Sequence, residues 1–162
     1  MQSVVDVGCG LGDMGNYLLT KDYAGIYLGL DFLKKFIDLS RKKFHGRARF
    51  QFQEFDLWKE MIPPGYDYAL LSGVFNNRTN QSKEFMLQSI EKMFMACSKG
   101  VAFNSMSTYV DYQDEALYYS DPVEIFDYCK KYMTQRVVLR HDYLLKKNTL
   151  PYEYTIYLYK DG

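Results

Sequence analysis

The sequence carries no excess of charge of either sign and no long hydrophobic run. Its 162 residues contain 20 Lys+Arg and 20 Asp+Glu, so the formal net charge is zero. Proteins that mainly hold nucleic acid usually have a basic excess or a concentrated basic face, which argues against that class. No apolar run reaches the roughly 18–20 residues that cross a bilayer, and no signal-type segment precedes the first apolar strand. We therefore expect a protein that acts away from membranes.

Cysteine and histidine are too scattered to form a metal site. Cys9, Cys97 and Cys129 are widely separated, without a CxxC pair or a nearby pair of histidines. Three thiols cannot all form disulfides within one chain. These features predict no bound metal and a reducing, cytoplasmic setting.

Short apolar runs alternate with longer amphipathic stretches, which indicates an α/β domain. The predicted helices are 13–20, 32–44, 83–97 and one that begins at Asp121-Pro122 and ends near Tyr132. The predicted strands are 3–7, 25–30, 49–55, 66–72, 100–106, 137–145 and 152–159, with a loop at 107–120. This order predicts one domain over 1–162, with a mostly parallel sheet, helices on both faces and a closing antiparallel hairpin.

The clearest motif is Asp6-Val7-Gly8-Cys9-Gly10-Leu11-Gly12, where the first strand is followed by the first helix. Glycines allow a tight turn and a close backbone approach to a ligand, and a helix N-terminus offers N–H donors. Asp6 has no packing reason to lie near the end of a buried strand, so it could accept a hydrogen bond from a cationic amine or hold the turn in shape. The motif predicts a site for a nucleotide or a related cofactor.

Two cofactor classes compete for this loop. Residues 10–15 fit G-x-G-x-x-G, the dinucleotide fingerprint. However, the strand ends at Gly8, so the loop begins before that fingerprint, and Asp13 at the helix start would repel a pyrophosphate. The pattern Asp6-x-Gly8-x-Gly10-x-Gly12 instead resembles motif I of the class I S-adenosylmethionine-dependent methyltransferases, whose cofactor carries no phosphate.

The resemblance continues at the ends of the next strands. Asp31 follows the second strand, where the family keeps an acid that binds both ribose hydroxyls, and Phe32 would line the adenine site. Asp56 follows the third strand and resembles the residue that meets the adenine amino group. Each acid also has a structural interpretation, as a helix cap or an exposed loop charge. The resemblance implies S-adenosylmethionine as cofactor, bound by Asp6, Gly8, Cys9, Gly10, Gly12, Asp31, Phe32, Asp56, Leu57, Ser72 and Gly73.

The family resemblance also implies a Rossmann-like, seven-stranded sheet in the order 3-2-1-4-5-7-6. Family members usually carry one or two helices before the first strand, whereas this sequence begins on the strand itself. The domain prediction is therefore a methyltransferase domain over 1–162 without those amino-terminal helices.

The fourth predicted strand ends in Leu70-Leu71-Ser72-Gly73, at the place of motif IV, where methyl donor and acceptor meet. The following residues lack the (Asn/Asp)-Pro-Pro-(Tyr/Phe) signature of the nucleic-acid amino methyltransferases, and the Pro-Cys nucleophile of the cytosine C5 enzymes. Together with the zero net charge, this favours a small-molecule acceptor over nucleic acid. Asn76, Asn77 and Arg78 could line its pocket, although Asn76-Asn77 is equally typical of a polar turn.

Candidates for a general base and a lid come from the second half of the chain. His141 is predicted near the carboxyl end of the sixth strand, where Asp142 or Tyr143 could orient its ring, but an edge-strand histidine that faces water is the alternative. Tyr109 and Tyr112 belong to a loop rich in tyrosine and acids, which suits a lid over a polar acceptor or a plain solvated loop. No catalytic residue is assigned beyond the suggestion of His141.

The sequence as a whole predicts an S-adenosylmethionine-dependent methyltransferase acting on a small molecule. Two alternatives stay open at this point. One is a cofactor-binding module without catalysis, and the other is an enzyme that methylates protein or RNA within a larger assembly. The composition does not predict an oligomeric state.

Overall fold

A computed structural model of the chain describes residues 2–160. They form one central sheet with helices packed on both of its faces. The strands are β1 (Ser3–Val7), β2 (Ile26–Asp31), β3 (Phe50–Glu54), β4 (Tyr66–Leu71), β5 (Cys97–Ser107), β6 (Tyr119–Ser120), β7 (Val137–Arg140) and β8 (Glu153–Tyr159). The helices are α1 (Asp13–Thr20), α2 (Lys34–Lys43), α3 (Ser82–Ala96) and α4 (Pro122–Tyr132), with a 3₁₀ turn at Val74–Asn76.

The sheet has the strand order β3-β2-β1-β4-β5-β8-β7. Strands β1 to β5 run parallel, and β8 runs antiparallel between β5 and β7. Since β7 and β8 are the sixth and seventh strands expected from the sequence, this confirms the predicted order and the predicted antiparallel hairpin. Parallel strands end at one edge of a sheet, so the loops after β1, β2, β3, β4 and β5 meet there.

Two details of the strand prediction were wrong. The segment expected to be wholly loop contains the short strand β6, which pairs in parallel with Met106 and Ser107 at the end of β5. The strand expected over 137–145 ends at Arg140, because its pairing with β8 stops at Thr155. A two-residue strand has too short an alternation to detect, and the end of a pairing partner cannot be read from one strand alone.

The core consists of two layers, one on each face of the sheet. On one face, α3 and α4 bury Met86, Ile90 and Ile125 against apolar side chains of the central strands. On the other face, α1 and α2 cover a cluster rich in aromatic residues, which includes Tyr27, Phe44 and Phe52. Residues alternate between these two faces along β1, so Val5 and Val7 face α3, whereas Val4 faces the aromatic cluster.

The start of α4 agrees with the sequence prediction. Asp121 is the N-cap, and its Oδ1 accepts hydrogen bonds from the backbone N–H groups of Val123 and Glu124, with Pro122 in the first turn. Within residues 2–160, no helix is both long and apolar enough to cross a membrane. The same residues contain no group of three or more metal-binding side chains.

Candidate active site

The glycine motif forms a sharp turn at the carboxyl end of β1. Gly8, Gly10 and Gly12 all adopt positive φ angles, of 75°, 54° and 74°. The N–H groups of Gly8 and Cys9 both donate to the carbonyl of Leu30, at 2.7 and 2.9 Å, so the turn is fixed to the neighbouring strand β2. A Cβ on Gly8 would lie 2.1 Å from Cγ2 of Val74. Only glycine therefore fits this position, for reasons of both conformation and space.

Asp31 joins the glycine turn to the start of α2. One carboxylate oxygen, Oδ2, accepts a hydrogen bond from the N–H of Gly10 at 2.9 Å, and Oδ1 accepts one from the N–H of Leu33 at 2.9 Å. The residue is only 8% exposed. Each carboxylate oxygen has two lone pairs, so both retain capacity for a ligand hydroxyl. Asp31 is thus both a local brace and part of the wall of the site.

Asp6 lies beneath the turn, on the aromatic face of the sheet. It is 5% exposed, and the hydroxyl of Tyr27 donates to its Oδ2 at 2.5 Å. Burial raises the pKa of Asp6 to about 6; the Tyr27 hydrogen bond partly counters that rise, and the nearby charge of Asp31 adds to it. Asp6 is therefore a carboxylate without a cationic partner among the described residues.

An apolar cavity of about 410 Å³ opens on one side of the glycine turn. The structure brings four of the predicted cofactor residues to it, together with Gly8: Asp31, Phe32, Asp56 and Leu57. The ring of Phe32 is 69% exposed at the cavity edge. The side chain of Lys59 lies 2.9 Å from Asp56 and holds the pKa of that carboxyl below its usual range. The roles of these residues remain predictions.

Four aromatic residues that line this cavity were not predicted from the sequence: Phe55, Trp58, Phe75 and Phe85. Phe85 packs against two of the other rings, with centroid distances of 5.3 Å to Trp58 and 6.0 Å to Phe75. Phe85 lies on α3 and also packs against the core on that face of the sheet. The only tryptophan of the chain, two residues after Asp56, was the available signal.

Lys92 holds the loop that carries Leu57 and Trp58. From the middle of α3, its ammonium group donates to the backbone carbonyls of Leu57, Trp58 and Glu60, at 2.6, 3.1 and 3.0 Å. Three carbonyl acceptors match the three donors of a lysine ammonium group. This contact fixes one wall of the apolar cavity.

A second, more polar cavity of about 530 Å³ lies on the other side of the glycine turn, and Gly8 lines both. Asp6, Cys9 and Ser72, all predicted cofactor residues, line this polar cavity. Its other lining residues include Asp13, Met14, Asn104, Thr155 and Tyr157. Gly8 is the lining residue that the two cavities share, so the glycine turn lies between them. The two cavities, with Gly8 between them, are together called the groove.

Asn104 connects three strands at the polar cavity, and the sequence analysis missed it. Its Oδ1 accepts from the N–H of Gly73 at 2.9 Å, while its Nδ2 donates to Ser72 Oγ at 3.2 Å and to Glu153 Oε2 at 2.9 Å. Asn104 therefore positions the loop after β4 that the family resemblance associates with methyl transfer. An asparagine inside an apolar strand was the signal that could have identified it.

The predicted acceptor residues Asn76 and Asn77 lie in different surroundings. Asn77 lines the apolar cavity, whereas Asn76 lines neither cavity, and its Oδ1 is buried without a hydrogen-bond partner among residues 2–160. Both residues pair through their backbones with the tyrosine-rich loop, by a bridge from Asn77 to Leu117 and a hydrogen bond from Tyr118 N to Asn76 O. Asn76 therefore does not line either cavity as predicted for an acceptor residue, and the acceptor role of Asn77 stays a prediction.

Tyr109 and Tyr112 do not line either cavity. They are 59% and 77% exposed, and the ring of Tyr109 contacts His141 with a centroid distance of 5.9 Å. The loop that carries them is attached to the loop after β4 through the backbone pairs of Asn76 and Asn77. A lid role stays a prediction, and it requires these tyrosines to move from the positions seen here.

The predicted environment of His141 was wrong. Asp142 does not orient its ring but pairs with Arg140, and the Tyr143 hydroxyl shares a 2.8 Å hydrogen bond with Thr155. The His141 ring instead contacts Tyr109 and Tyr154, and its Nε2 is buried without a partner among the described residues. His141 lines neither cavity, and it lies beyond the end of β7 at Arg140.

Residues 5–98 match the model of a family described as a methyltransferase domain. The chain is also 33% identical over 164 residues to "Putative methyltransferase Rv1506c" of Mycobacterium tuberculosis, across 98% of this chain and 93% of that protein. The chain belongs to the S-adenosylmethionine-dependent methyltransferase family. Membership in this family agrees with the motif I resemblance of the glycine turn, and opposes a dinucleotide-binding protein.

Solved methyltransferase structures share the fold. Magnesium protoporphyrin IX methyltransferase from Synechocystis PCC 6803, with bound S-adenosylhomocysteine, superposes with a TM-score of 0.75 at 13% identity, over 98% of this chain and 74% of that one. Phosphoethanolamine N-methyltransferase 2 of Haemonchus contortus, in complex with S-adenosylmethionine, has a TM-score of 0.71 at 15% identity, over 87% and 35%. These similarities confirm the Rossmann-like methyltransferase fold.

Proposed function

We propose that this methyltransferase transfers the methyl group of S-adenosylmethionine to a small-molecule acceptor, with the cofactor lying in the groove across Gly8. The main support for this proposal is that the two sides of Gly8 carry different kinds of side chain. Asp31 and a set of aromatic rings lie on one side of Gly8, and Asp6, Ser72 and Asn104 lie on the other.

The residues of the groove fit the parts of this cofactor. A volume of about 410 Å³ lies within the usual range of small-molecule sites, and apolar and aromatic walls suit an adenine ring. The lone pairs that remain on Asp31 suit the two ribose hydroxyls. Asp6, which has no cationic partner among residues 2–160, suits the positively charged end of the molecule. The glycine turn lets the backbone approach closely between these parts.

When bound, S-adenosylmethionine supplies an electrophilic methyl group on a sulfonium. The chain's own contribution is positioning, which is the main requirement of an in-line displacement. Asp31 would orient the nucleoside end of the cofactor, and the aromatic residues Trp58 and Phe85 would exclude water from it. Asn104 would hold the backbone of Gly73 at the place where donor and acceptor meet.

Four observations support a small molecule as acceptor. The chain has no net charge, and it lacks the motif IV signatures of the nucleic-acid methyltransferases. The polar cavity is a concave pocket of small-molecule size. The two neighbours compared above are named for a porphyrin and for phosphoethanolamine, which are both small molecules.

Calorimetric titration with S-adenosylhomocysteine tests the cofactor site. We expect binding to the unmodified chain, and a loss of about tenfold to a hundredfold in Asp31→Ala, or about 1.5–3 kcal/mol for charge-assisted hydrogen bonds. Asp38→Ala is the matched control, because Asp38 lies on α2 with an exposed ion pair to Lys34. If Asp31→Ala binds S-adenosylhomocysteine as tightly as the unmodified chain, Asp31 only stabilises the glycine turn and does not bind the cofactor.

The acceptor class is tested by radiolabelled methyl transfer to a small-metabolite extract, to total RNA and to total protein. Incorporation into the small-metabolite fraction is expected. Incorporation confined to RNA or protein would contradict the proposal while leaving the cofactor site intact.

A further inference from the structure

Glu153 is a half-buried carboxylate without a cationic partner among residues 2–160, and the proposed cofactor site does not use it. It is the first residue of β8 and lines a third cavity, of about 290 Å³. This cavity shares Asn104, Thr155 and Tyr157 with the polar cavity, so the two are contiguous. Glu153 therefore lies next to the groove, beyond the point where the cofactor site ends.

The hydrogen bonds of Glu153 leave half of its carboxylate available. Oε2 accepts from the neutral amide of Asn104 at 2.9 Å, and Oε1 has no hydrogen-bond partner among residues 2–160. Burial raises the pKa of Glu153 above its ordinary value, and the Asn104 hydrogen bond only partly counters this. The negative charge is thus poorly compensated in the unliganded chain.

Arg140, the cation that lines the same cavity, already forms an ion pair with Asp142. Arg140 lines the third cavity, but its Nε and Nη2 donate to the two carboxylate oxygens of Asp142, each at 3.1 Å. Arg140 and Glu153 form no ion pair. Tyr143, the other polar aromatic residue nearby, uses its hydroxyl on Thr155. A ligand that enters this cavity therefore meets one open carboxylate oxygen.

Asn104 also connects Glu153 to the transfer point. The same side chain that donates to Glu153 accepts from Gly73 N and donates to Ser72 Oγ. A single side chain thus fixes the carboxylate relative to the loop after β4. Because a cation compensates a half-buried carboxylate and a neutral hydroxyl does not, the favoured ligand is a protonated amine.

We propose that Glu153 binds the ammonium group of an amine acceptor and removes its proton, which makes the acceptor nitrogen nucleophilic. This inference rests on the proposed function, and it narrows the acceptor class to amines. Asn104 is a positioning residue for this step, because it acts through Glu153 and Gly73.

The proton balance of the step is simple. One N–H bond of the ammonium breaks, an O–H bond forms at Oε1 of Glu153, and the electron pair of the broken bond stays on nitrogen as the lone pair needed for attack. The raised pKa of Glu153 brings it closer to that of the amine, which favours this transfer. The proton then leaves to solvent, because Glu153 is only partly buried.

The test uses the full chain saturated with S-adenosylhomocysteine and labelled with ¹³C at the glutamate carboxyl carbons. Ethanolamine is titrated in, and ethylene glycol of similar size serves as the neutral probe. We expect a saturable shift of the Glu153 signal with ethanolamine only. Glu153→Gln, which keeps an oxygen for Asn104, should bind S-adenosylhomocysteine normally but weaken ethanolamine by at least about tenfold. Asp127→Asn, which removes an exposed carboxylate on α4, should change neither affinity.

The outcomes separate this inference from the proposed function. If the unmodified chain fails to bind S-adenosylhomocysteine, the proposed function fails, and this inference fails with it. If S-adenosylhomocysteine binds but the Glu153 signal ignores ethanolamine, or responds equally to ethylene glycol, the inference alone is overturned. The titration of the unmodified chain decides this even if Glu153→Gln does not fold.

Discussion

The two sides of Gly8 are built in different ways. The apolar side is walled by large rings and by a loop that Lys92 holds through three backbone carbonyls. The polar side is held by short side chains, of which Asn104 connects three strands. The apolar side draws on residues 7–85, within the segment that matches the family model, whereas Asn104, Glu153 and Tyr157 lie after it. The apolar side thus comes wholly from the segment that matches the family model, whereas the polar side combines residues from that segment with residues that follow it.

Gly8 belongs to both sides, so its substitution should have the largest effect. In Gly8→Ala, a Cβ would meet Val74 at 2.1 Å, and the residue would also be forced into a left-handed conformation at φ +75°. We expect S-adenosylhomocysteine affinity, measured by calorimetry, to fall by about a hundredfold or more, which corresponds to roughly 3 kcal/mol.

Gly46→Ala is the matched control for Gly8. Gly46 has a similar φ of +79°, but a Cβ there meets nothing within 4 Å. The Gly46→Ala variant should lose about 1 kcal/mol of unfolding free energy because of backbone strain alone, and it should bind S-adenosylhomocysteine as tightly as the unmodified chain. Similar affinity losses in both variants would show that the contact with Val74 is not what matters.

Asp6 should make stability depend on pH in a direction opposite to that of most carboxylates. Its pKa is about 6 in the folded chain and near 3.8 when unfolded, so the folded state keeps a proton that the unfolded state loses between these values. On account of this residue, the free energy of unfolding should therefore fall by about 3 kcal/mol in all as the pH rises from below 3 to above 7, with about 2 kcal/mol of that fall between pH 4 and pH 6.

Urea unfolding at several pH values measures this contribution as the difference between the unmodified chain and Asp6→Asn. Tyr27→Phe provides the complementary variant, because it removes the hydrogen bond that lowers the pKa of Asp6. The fall in stability should then extend to higher pH. Parallel pH profiles for the unmodified chain and Asp6→Asn would contradict this account.

Lys92→Met tests the loop that walls the apolar side. The change leaves the carbonyls of Leu57, Trp58 and Glu60 without their shared donor, so we expect a loss of about 1.5 kcal/mol in unfolding free energy. S-adenosylhomocysteine affinity should fall severalfold, because Leu57 and Trp58 line the cavity. Lys131→Met, on the exposed surface of α4, should leave affinity unchanged, and an equal loss in both variants would exclude a specific role for Lys92.

The smallest effect on cofactor binding is expected for the double variant Tyr109→Ala/Tyr112→Ala. Neither side chain lines a cavity, so S-adenosylhomocysteine affinity should stay within about threefold, or roughly 0.7 kcal/mol. If the loop closes as a lid during turnover, methyl transfer to a small acceptor should fall by much more. If the double variant folds normally by circular dichroism and is as active as the unmodified chain, the loop has no lid role and is solvated surface.

The placement of Asp31 and Asp56 together at the apolar cavity could be predicted from the sequence, because it depends only on where two neighbouring strands end. Asp31 and Asp56 each directly follow a strand, and the carboxyl ends of parallel strands meet at one edge. The prediction failed for His141 and Asp142, where adjacency in sequence suggested contact. Asp142 pairs with Arg140, whereas the His141 ring contacts Tyr109, and adjacent residues even within a strand would point to opposite faces.

The alternation of strands and helices and the position of the glycine turn can be predicted from the sequence alone. Together they indicate the methyltransferase fold. Hydrophobic periodicity and turn residues are patterns of a few neighbouring residues, so they can be recognised in a single sequence. The tertiary structure was needed to show that Asn104 contacts both Glu153, 49 residues away, and Gly73, 31 residues away. Those contacts depend on the pairing register of β4, β5 and β8, which is set by packing across the whole sheet rather than by any one segment.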